Sequence, residues 1–385
     1  MRTILAASAI FVAVLLGCLN ASGNSQDKSP QAAKGAPLQI TTPDKVESRI
    51  GPLAFTDGIP TENTAEKVYD HLDYIRGVNT FLNSFSGVSM YSIRKGFRGA
   101  GVADNSVLIF SELMDSKSLF LTANCDTVYF WGYLDLSKGP MVVEVPAGSL
   151  GVFNDMWFRW IADFGTPGAD RGEGGKYLLL PPGYAGPVPG GGFYVGRSRT
   201  NGAALIGRAF LEKDDPRPVA EHIKKNLKIY PYAPGGQGTS IADFLQGKAK
   251  LGPPATPTPA KFVEGSGRAM NTIPPNDVTF YDVLNALVQE EPASALEPEL
   301  AGQFAAIGII KGKPFQPDAR LKKILVEALA MGNAASRVIG TRARPEEGFQ
   351  YYGKESAWSN PLFAGGSEFK TPPPLVTKEG IKPFP

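Results

Sequence analysis

The sequence contains few histidines and cysteines, the side chains on which most metal and nucleophilic chemistry depends. Its 385 residues include two histidines and two cysteines, and the histidines, His71 and His222, are far apart in the chain. A transition-metal site with several histidine ligands is therefore disfavoured, although a calcium site built from oxygen ligands stays open. A Ser-His-Asp triad would need one of these histidines. Both fall on charged helical segments, where a solvated or packing role is the simpler interpretation.

Common catalytic motifs and an excess of charge are also lacking. We find no G-x-S-x-G elbow, no Walker phosphate loop, no dinucleotide-binding glycine pattern after a strand and no H-E-x-x-H helix. The sequence therefore predicts neither a cofactor nor a protein-ligated transition metal. The 39 basic and 37 acidic residues give a formal net charge of +2. This balance supplies no electrostatic attraction to nucleic acid, and we expect no nucleic-acid partner.

The N-terminal apolar run is too short for a comfortable membrane span. It covers the thirteen residues from Ile4 to Leu16 after the basic Arg2, a pattern typical of an export signal. It closes with Leu-Leu-Gly-Cys18, which resembles the lipobox of bacterial lipoproteins, where the cysteine is lipidated and becomes the first mature residue. Leu19 is not the aspartate of an inner-membrane retention signal, so the resemblance implies an outer-membrane lipoprotein facing the periplasm.

An alternative cleavage site gives a different destination for the same exported chain. The small residues Ala21-Ser22-Gly23 suit ordinary signal cleavage, which would release a soluble periplasmic protein. On the first interpretation residues 1–17 are the signal peptide and 18–36 the lipid anchor and flexible tether, so the membrane is contacted through the anchor alone. In both cases Cys125 is the remaining side-chain thiol. We expect it to be buried and inert, because an exposed thiol is a liability in an exported protein.

The hydrophobic pattern predicts an α+β fold, with an antiparallel β-sandwich between an N-terminal helix and a C-terminal helical region. Apolar residues at three- and four-residue steps predict a helix over 64–85. Short apolar runs separated by turn residues predict the sandwich strands. These runs are 107–110, 127–133, 141–145, 157–162, 177–180 and 193–195. Further helices are predicted at 216–227, 277–290 and 317–340, with 304–315 linking the last two.

Changes in composition divide the mature chain. We predict a β-sandwich domain over 37–232 and a linker rich in Pro, Gly, Thr and Ala over 233–275. A helical segment over 276–365 and a tail over 366–385 follow.

Three motifs carry a resemblance to a known family. They are "TANCDTVY", "LDLSKGPMVVEVP" and "YLLLPPGYAGPVPGGGFYV", and they resemble the domain-of-unknown-function 1254 family. Its pattern T-P-N-x-D-T-x-Y is matched except for Ala123 in place of proline, and Cys125 stands at its variable position. The pattern D-L-x-x-G-P is matched from Asp135 to Pro140. The resemblance covers about 60–232 and implies a jelly-roll-like architecture and frequent export, with no established reaction.

The segment from 277 to about 365, with "IGIIKGKPF", resembles the helical first part of a companion family, domain of unknown function 1214. In that companion family a second β-rich portion normally follows. We identify no match to that portion in the sequence up to Pro385.

Two groups of residues are candidates for chemistry. Asp126 and Asp163 are candidate acid and base, with Tyr129 as a hydrogen-bond donor, since paired carboxylates serve these roles when burial separates their pKa values. The opposing interpretation is that Asn124, Asp126 and Thr127 build a turn.

The segment "FNDMWFRWIADFGTPGAD" supplies the second group. Its candidate ligand-binding residues are Trp157, Arg159, Asp155 and Trp160, either on a cleft wall or in the core. Two functional classes follow. One is an envelope protein that binds a small-molecule, glycan or protein ligand. The other is a hydrolase or lyase that acts on a small molecule or glycan with paired carboxylates.

Overall fold

The computed structural model describes residues 43–120, 123–233, 245–247, 257, 259–341, 376–377 and 380–381. The predicted signal segment with Cys18, the family-motif residue Thr122, most of the predicted linker and most of the tail lie outside these ranges. The backbone divides into two compact units, Met1–Val68 and Tyr69–Pro385. None of the described helices combines the length and apolar character needed to cross a bilayer.

The first unit contains a small antiparallel sheet. Its strands are β1 (Lys45–Ser48), β2 (Gly51–Thr56) and β3 (Ile59–Pro60). The hydroxyl of Thr64 accepts a hydrogen bond of 2.9 Å from the backbone N–H of Ala54, which joins this sheet to the start of the helix that follows. That helix, α1 (Glu62–Gly99), continues into the second unit.

The second unit contains two larger sheets and the remaining helices. Its helices are α2 (Pro216–Asn226), α3 (Thr279–Glu290), α4 (Pro298–Ala306) and α5 (Ala319–Thr341). Its strands are β4 (Ser106–Ile109), β5 (Ser118–Leu119), β6 (Thr127–Asp135), β7 (Met141–Val145), β8 (Ser149–Asp155), β9 (Trp160–Gly165), β10 (Gly175–Leu180), β11 (Tyr194–Arg197), β12 (Gly202–Phe210), β13 (Lys228–Pro231), β14 (Lys261–Glu264) and β15 (Met270–Asn271). Two short pairing strands follow, β16 (Val376–Thr377) and β17 (Gly380–Ile381).

The two larger sheets form a sandwich. One has the order β11-β10-β7-β13 and the other β14-β4-β6-β12-β8-β9, and most neighbouring strands are antiparallel. Phe130 and Phe153 of the six-stranded sheet pack with Tyr177 of the four-stranded sheet in one buried cluster. The α+β class and the sandwich of largely antiparallel sheets are therefore confirmed.

The opposite face of the six-stranded sheet packs against helices. Because side chains alternate along a strand, Tyr133 points away from the cluster that contains Phe130. Tyr133 lies in a second core with Phe97 of α1 and Leu287 of α3. Its hydroxyl donates a 2.9 Å hydrogen bond to the carbonyl oxygen of Met90, which fixes α1 on the sheet.

The structure extends the predicted α1 by sixteen residues, from 64–85 to Glu62–Gly99. It also contains elements that the pattern did not indicate, among them β8, β12 and α4. The glycines after position 85 weaken helix propensity, but Gly87 is needed for close packing, since a Cβ there would lie 2.5 Å from Cε3 of Trp157. Strand β12 was not predicted, because its run of small residues lacks an alternating pattern. Helix α4 falls partly within the segment that was interpreted as a link. The predicted strand over 157–162 is a hairpin turn followed by β9.

Candidate functional site

A cleft of about 370 Å³ lies on the helix-facing side of the six-stranded sheet. We call it the polar cleft and define it by four polar side chains, Tyr129, Trp131, Asp163 and Arg208, together with the apolar residues around them. Its apolar lining includes Ile93, Phe120, Leu150, Val152, Phe158 and Ile206. The volume lies at the lower end of the range for pockets that bind small molecules.

Strand register places the polar side chains around an apolar centre. Arg208 on β12 pairs with Tyr129 on β6 and with Leu150 on β8. Asp163 on β9 pairs with Val152 on β8. Neighbouring strands are about 4.8 Å apart and the two partners on β8 are two residues apart, so the backbones of Arg208 and Asp163 are separated by roughly 12 Å. The cleft floor is therefore apolar between a guanidinium on one side and a carboxylate on the other.

The polar groups of the cleft have no protein partner among the residues that the structure describes. Tyr129, Asp163 and Arg208 are partly buried, and none of their side chains takes part in a hydrogen bond or ion pair there. The buried Nε1 of Trp131 also lacks an acceptor. Arg94 is a useful contrast, because its Nη2 lies 2.6 Å from an oxygen of Asp104. Partly buried polar groups without partners are unusual and leave hydrogen-bonding capacity for a ligand.

Aromatic rings support one wall of the polar cleft. The rings of Phe120 and Trp131 have centroids 5.8 Å apart, and Phe97 contacts both of them at 5.9 and 5.8 Å. These separations are typical of stabilising aromatic contacts. The wall is therefore held by packing on α1, with the rings of Phe120 and Trp131 inclined by 42° to each other.

Of the three predicted catalytic residues, the structure brings Tyr129 and Asp163 together in the polar cleft and leaves Asp126 outside its lining. Asp126 is exposed in the loop before β6. Ala123 of the same loop does line the cleft, so this loop forms part of its rim.

The loop before β6 is built by Asn124. Its Oδ1 accepts hydrogen bonds from the backbone N–H of Asp126 at 3.2 Å and from the hydroxyl of Thr127 at 3.0 Å. This is the side-chain turn chemistry predicted for the segment, carried by the asparagine. The prediction that Cys125 is buried is wrong. Cys125 is exposed, because it lies at the solvent side of this turn, with its Sγ 3.6 Å from a carboxylate oxygen of Asp126.

Asp155 and Arg159, predicted as ligand-binding residues, shape the turn between β8 and β9. One oxygen of Asp155 accepts from the backbone N–H groups of Trp157 at 2.8 Å and Arg159 at 2.9 Å. The other oxygen accepts from Nε of Arg159 at 2.6 Å. Phe158, at the turn, has a left-handed backbone with φ of 63°. The Asp155–Arg159 contacts hold this conformation, which costs energy for a bulky residue.

The two predicted tryptophans lie in different surroundings. Trp160 at the start of β9 is 67% exposed and belongs to neither cleft. Trp157 is 6% exposed and lines a second cavity of about 330 Å³, which we call the apolar cleft. Its other lining residues come from the end of α3, the segment between α3 and α4, α4 itself and the segment after it. They include Val288, Glu291, Leu296, Phe304, Ile309 and Lys311.

Burial changes the acidity of a carboxyl group at the border of the apolar cleft. Glu291 is 2% exposed, and its oxygens accept from the backbone N–H of Asn201 at 2.5 Å and of Gly202 at 3.1 Å. Desolvation raises the pKa of Glu291 to about 7, although these hydrogen bonds act in the opposite direction. Glu291 therefore changes its charge near neutral pH.

The prediction from sequence missed Arg208 and Trp131. Arg208 was overlooked together with its strand, although a lone charge within "GAALIGRAF" is a detectable signal of a side chain in a special environment. Trp131 was interpreted as part of an apolar run. The described part of the chain contains no group of three or more His, Cys, Asp or Glu side chains arranged to hold a metal ion.

One family model matches part of the chain. Residues 105–231 match the model of a family described as "Protein of unknown function (DUF1254)", which spans the strands from β4 to β13 and thus most of the polar cleft. The chain is similar to the crystal structure of the VPA0106 protein from Vibrio parahaemolyticus, with 18% identity and a TM-score of 0.46 over 76% of this chain and 67% of that one. A comparison with curated proteins gives no match.

Proposed function

We propose that this protein binds a small organic carboxylate in the polar cleft. The observation that carries the proposal is Arg208, a partly buried arginine that lines the cleft and has no carboxylate partner among the described residues. An arginine guanidinium is always charged and matches the geometry of a carboxylate with two parallel hydrogen bonds. In a partly desolvated cleft such a charge is stabilised by a counter-ion, which a bound carboxylate supplies.

The cleft surface next to Arg208 favours a ligand with an apolar body. Leu150, Val152 and Ile206 form the floor, and Phe120 and Trp131 form a wall. A ring or short alkyl chain gains free energy by covering this surface. A neutral glycan could hydrogen-bond to Asp163 and Tyr129, but it would leave the guanidinium without a counter-charge. The carboxylate is therefore the better match to this set of groups.

The test is a thermal-shift titration of the purified protein with benzoate and with benzyl alcohol, which has a similar shape and no charge. We expect benzoate to raise the melting temperature and benzyl alcohol to have little effect. Substituting Arg208→Met should weaken benzoate binding tenfold or more, since a charged hydrogen bond contributes about 1.5–3 kcal/mol.

A matched control variant is Arg197→Met. Arg197 is an exposed arginine on β11 in the other sheet. This variant should bind benzoate like the wild type. Unchanged affinity in Arg208→Met, or equal binding of benzyl alcohol and benzoate, would contradict the proposal.

A second candidate function is a hydrolase or lyase that acts on such a ligand. It is favoured by one observation, that Asp163 and Tyr129 line the same cleft as Arg208. Asp163 would act as the base and Tyr129 as a hydrogen-bond donor. The two-carboxylate form of this proposal also uses Asp126, from the loop whose Ala123 lines the rim. Proton NMR time courses with carboxylate esters and 2-hydroxy acids test it. Turnover that Asp163→Asn abolishes would support it, and stable spectra with every substrate would reject it.

The same proposal includes export and a lipid anchor at Cys18, supported by the apolar run from Ile4 to Leu16 and the Leu-Leu-Gly-Cys18 sequence. It also includes membership of 276–365 in the companion family, domain of unknown function 1214. Mass spectrometry of the membrane fraction tests the anchor. A diacylglyceryl mass at Cys18 that is lost in Cys18→Ser is the expected result, and an unmodified N-terminus at Asn24 would reject lipidation.

A further inference from the structure

The polar cleft contains two opposite charges, and a simple carboxylate ligand pairs with only one of them. Among the described residues that line the cleft there is one cation, Arg208, and one anion, Asp163. Both are partly buried, and neither side chain takes part in a hydrogen bond or ion pair within the described part of the chain. A bound carboxylate would neutralise Arg208 and leave Asp163 as it was. A partly desolvated carboxylate without a partner is costly, so the second charge also calls for a counter-charge.

Strand alternation places both charged side chains on the cleft side of the six-stranded sheet. Phe164, the neighbour of Asp163, is buried in the sandwich core, and so is Ala209, the neighbour of Arg208. Successive side chains point to opposite faces of a strand, so Asp163 and Arg208 both face the helix layer. A single ligand on this face can therefore meet both charges.

The spacing of the two charges sets the length of such a ligand. Arg208 pairs with Leu150 and Asp163 pairs with Val152, and this register separates the two backbones by roughly 12 Å. Side chains stand roughly perpendicular to a sheet, so their charged ends keep a similar spacing. Two charged hydrogen bonds of about 3 Å each then leave about 6 Å between the charged groups of the ligand.

The surface between the two charges is apolar. Leu150 and Val152 form the floor there, and a hydrocarbon body gains free energy by covering them. A benzene ring with charged substituents at opposite positions suits this interval. An α-amino acid is too short, because its two charged groups share one carbon. A dicarboxylate would place its second charge next to Asp163, where like charges repel.

We infer that the ligand of the polar cleft is an ω-amino acid with an apolar body, an assignment that rests on the carboxylate binding proposed for the same cleft. The ligand carboxylate meets Arg208, and the ammonium group at its other end meets Asp163. Both charges of the cleft are then paired through charged hydrogen bonds, which are stronger than neutral ones.

The test is titration calorimetry of the purified protein at neutral pH with three ligands. In para-(aminomethyl)benzoate the ammonium group lies opposite the carboxylate. In para-ethylbenzoate a methyl group replaces the ammonium group with little change of shape. Phenylglycine is an isomer of the first ligand with both charges on one carbon. We expect para-(aminomethyl)benzoate to bind at least tenfold more tightly than either of the others, because it gains one more charged hydrogen bond.

Asp163→Asn should change the affinity of two ligands in opposite directions. It removes an attraction for para-(aminomethyl)benzoate, whose affinity should fall tenfold or more. It removes only a distant repulsion for para-ethylbenzoate, whose affinity should rise by about twofold at most. The control variant is Glu173→Gln, which removes an exposed carboxylate that does not line the cleft. This control should bind all three ligands like the wild type.

The inference and the proposed carboxylate binding can fail separately. Equal affinity for para-(aminomethyl)benzoate and para-ethylbenzoate, with both weakened by Arg208→Met, would overturn the inference and retain carboxylate binding. A preference for para-(aminomethyl)benzoate that persists in Asp163→Asn, or that phenylglycine shares, would also overturn it. Binding of none of the three ligands would reject both proposals. If Asp163→Asn does not fold, the comparison of the three ligands on the wild type still decides the outcome.

Discussion

The polar cleft and the apolar cleft each contain a tryptophan with a buried, unpartnered indole N–H, Trp131 in one and Trp157 in the other. Their other polar groups differ. Arg208 and Asp163 line the polar cleft without partners among the described residues, whereas Glu291 and Lys311 at the apolar cleft are bound to backbone groups. The two sites therefore present opposite chemistry within the same unit of the chain.

The difference follows from the secondary structure that builds each cleft. In the six-stranded sheet the backbone is satisfied by ladder hydrogen bonds, and alternate side chains face opposite layers. Arg208 can point into a cleft while its neighbours Gly207 and Ala209 face the sandwich core. At the end of α3, the carbonyl oxygen of Gln289 accepts a hydrogen bond from the amino group of Lys311. The carboxyl group of Glu291 is instead taken up by the N–H groups of Asn201 and Gly202 at the start of β12.

The largest expected effect concerns Glu291 at the apolar cleft. Its pKa of about 7 in the folded protein exceeds the usual value of 4.5. The folded state binds the proton of Glu291 more tightly than the unfolded state does. The stabilisation that this proton gives the folded state is complete below pH 4.5 and is lost as the pH rises to 7. The free energy of unfolding should fall by up to about 3 kcal/mol over this window. Urea unfolding of wild type and Glu291→Gln at several pH values measures it, and the variant should give a flatter profile.

Arg94 and Glu290 act on Glu291 in opposite directions, and Arg94 favours its charged form. The control variant is Glu297→Gln, which removes an exposed carboxylate paired with Arg199. This control should keep the wild-type slope. A slope in Glu291→Gln equal to that of wild type would show that another group titrates in this window.

The next effect concerns the rim of the polar cleft. Asn124→Ala removes the acceptor for the N–H of Asp126 and the hydroxyl of the buried Thr127. The free energy of unfolding should fall by about 1 kcal/mol. Asp126→Asn should change it by less than about 0.5 kcal/mol, because the Asp126 side chain is exposed. Thermal unfolding of both variants measures this, and a larger loss in Asp126→Asn than in Asn124→Ala would contradict the assignment of the turn to Asn124.

The smallest expected effect comes from removing one of the two charges of the polar cleft. Asp163→Asn removes a negative charge whose backbone lies roughly 12 Å from that of Arg208, judged from strand spacing and register. Repulsion of a bound carboxylate at that distance is worth about 0.35 kcal/mol in a largely aqueous environment. Benzoate affinity, measured by titration calorimetry at low salt, should therefore increase about twofold. A marked decrease would instead indicate that Asp163 contacts the ligand directly.

Much of the fold was predictable because its signals are local. The periodic apolar residues of α3 and α5 and the short apolar run of β7 gave those elements to within a few residues. Strand β12 was missed because it is buried within the sheet and its small residues show no alternation. Gly207 there makes room for the ring of Phe130, since a Cβ would lie 2.3 Å from it. Such a requirement depends on a residue distant in sequence, and it cannot be seen in the run itself.

The candidate site was predictable in part for the same reason. Tyr129 lies within the apolar run 127–133, and Asp163 comes directly after the run 157–162. Both residues line the polar cleft. Arg208, which we propose as the anchor, depends on the pairing of β12 with β6 and β8. The sequence leaves Asp155 and Arg159 open between a cleft wall and the core, and their ion pair with each other depends on the turn that joins them.

The turn between β8 and β9 has a consequence for how the two clefts communicate. Its adjacent residues Trp157 and Phe158 line different cavities, one the apolar cleft and the other the polar cleft. A displacement of this turn would therefore alter the lining of both cavities. If a ligand in one cleft displaced it, thermodynamic linkage would make the resulting coupling between the two sites reciprocal. A five-residue hairpin turn held by Asp155 would be the element through which the two binding equilibria are joined.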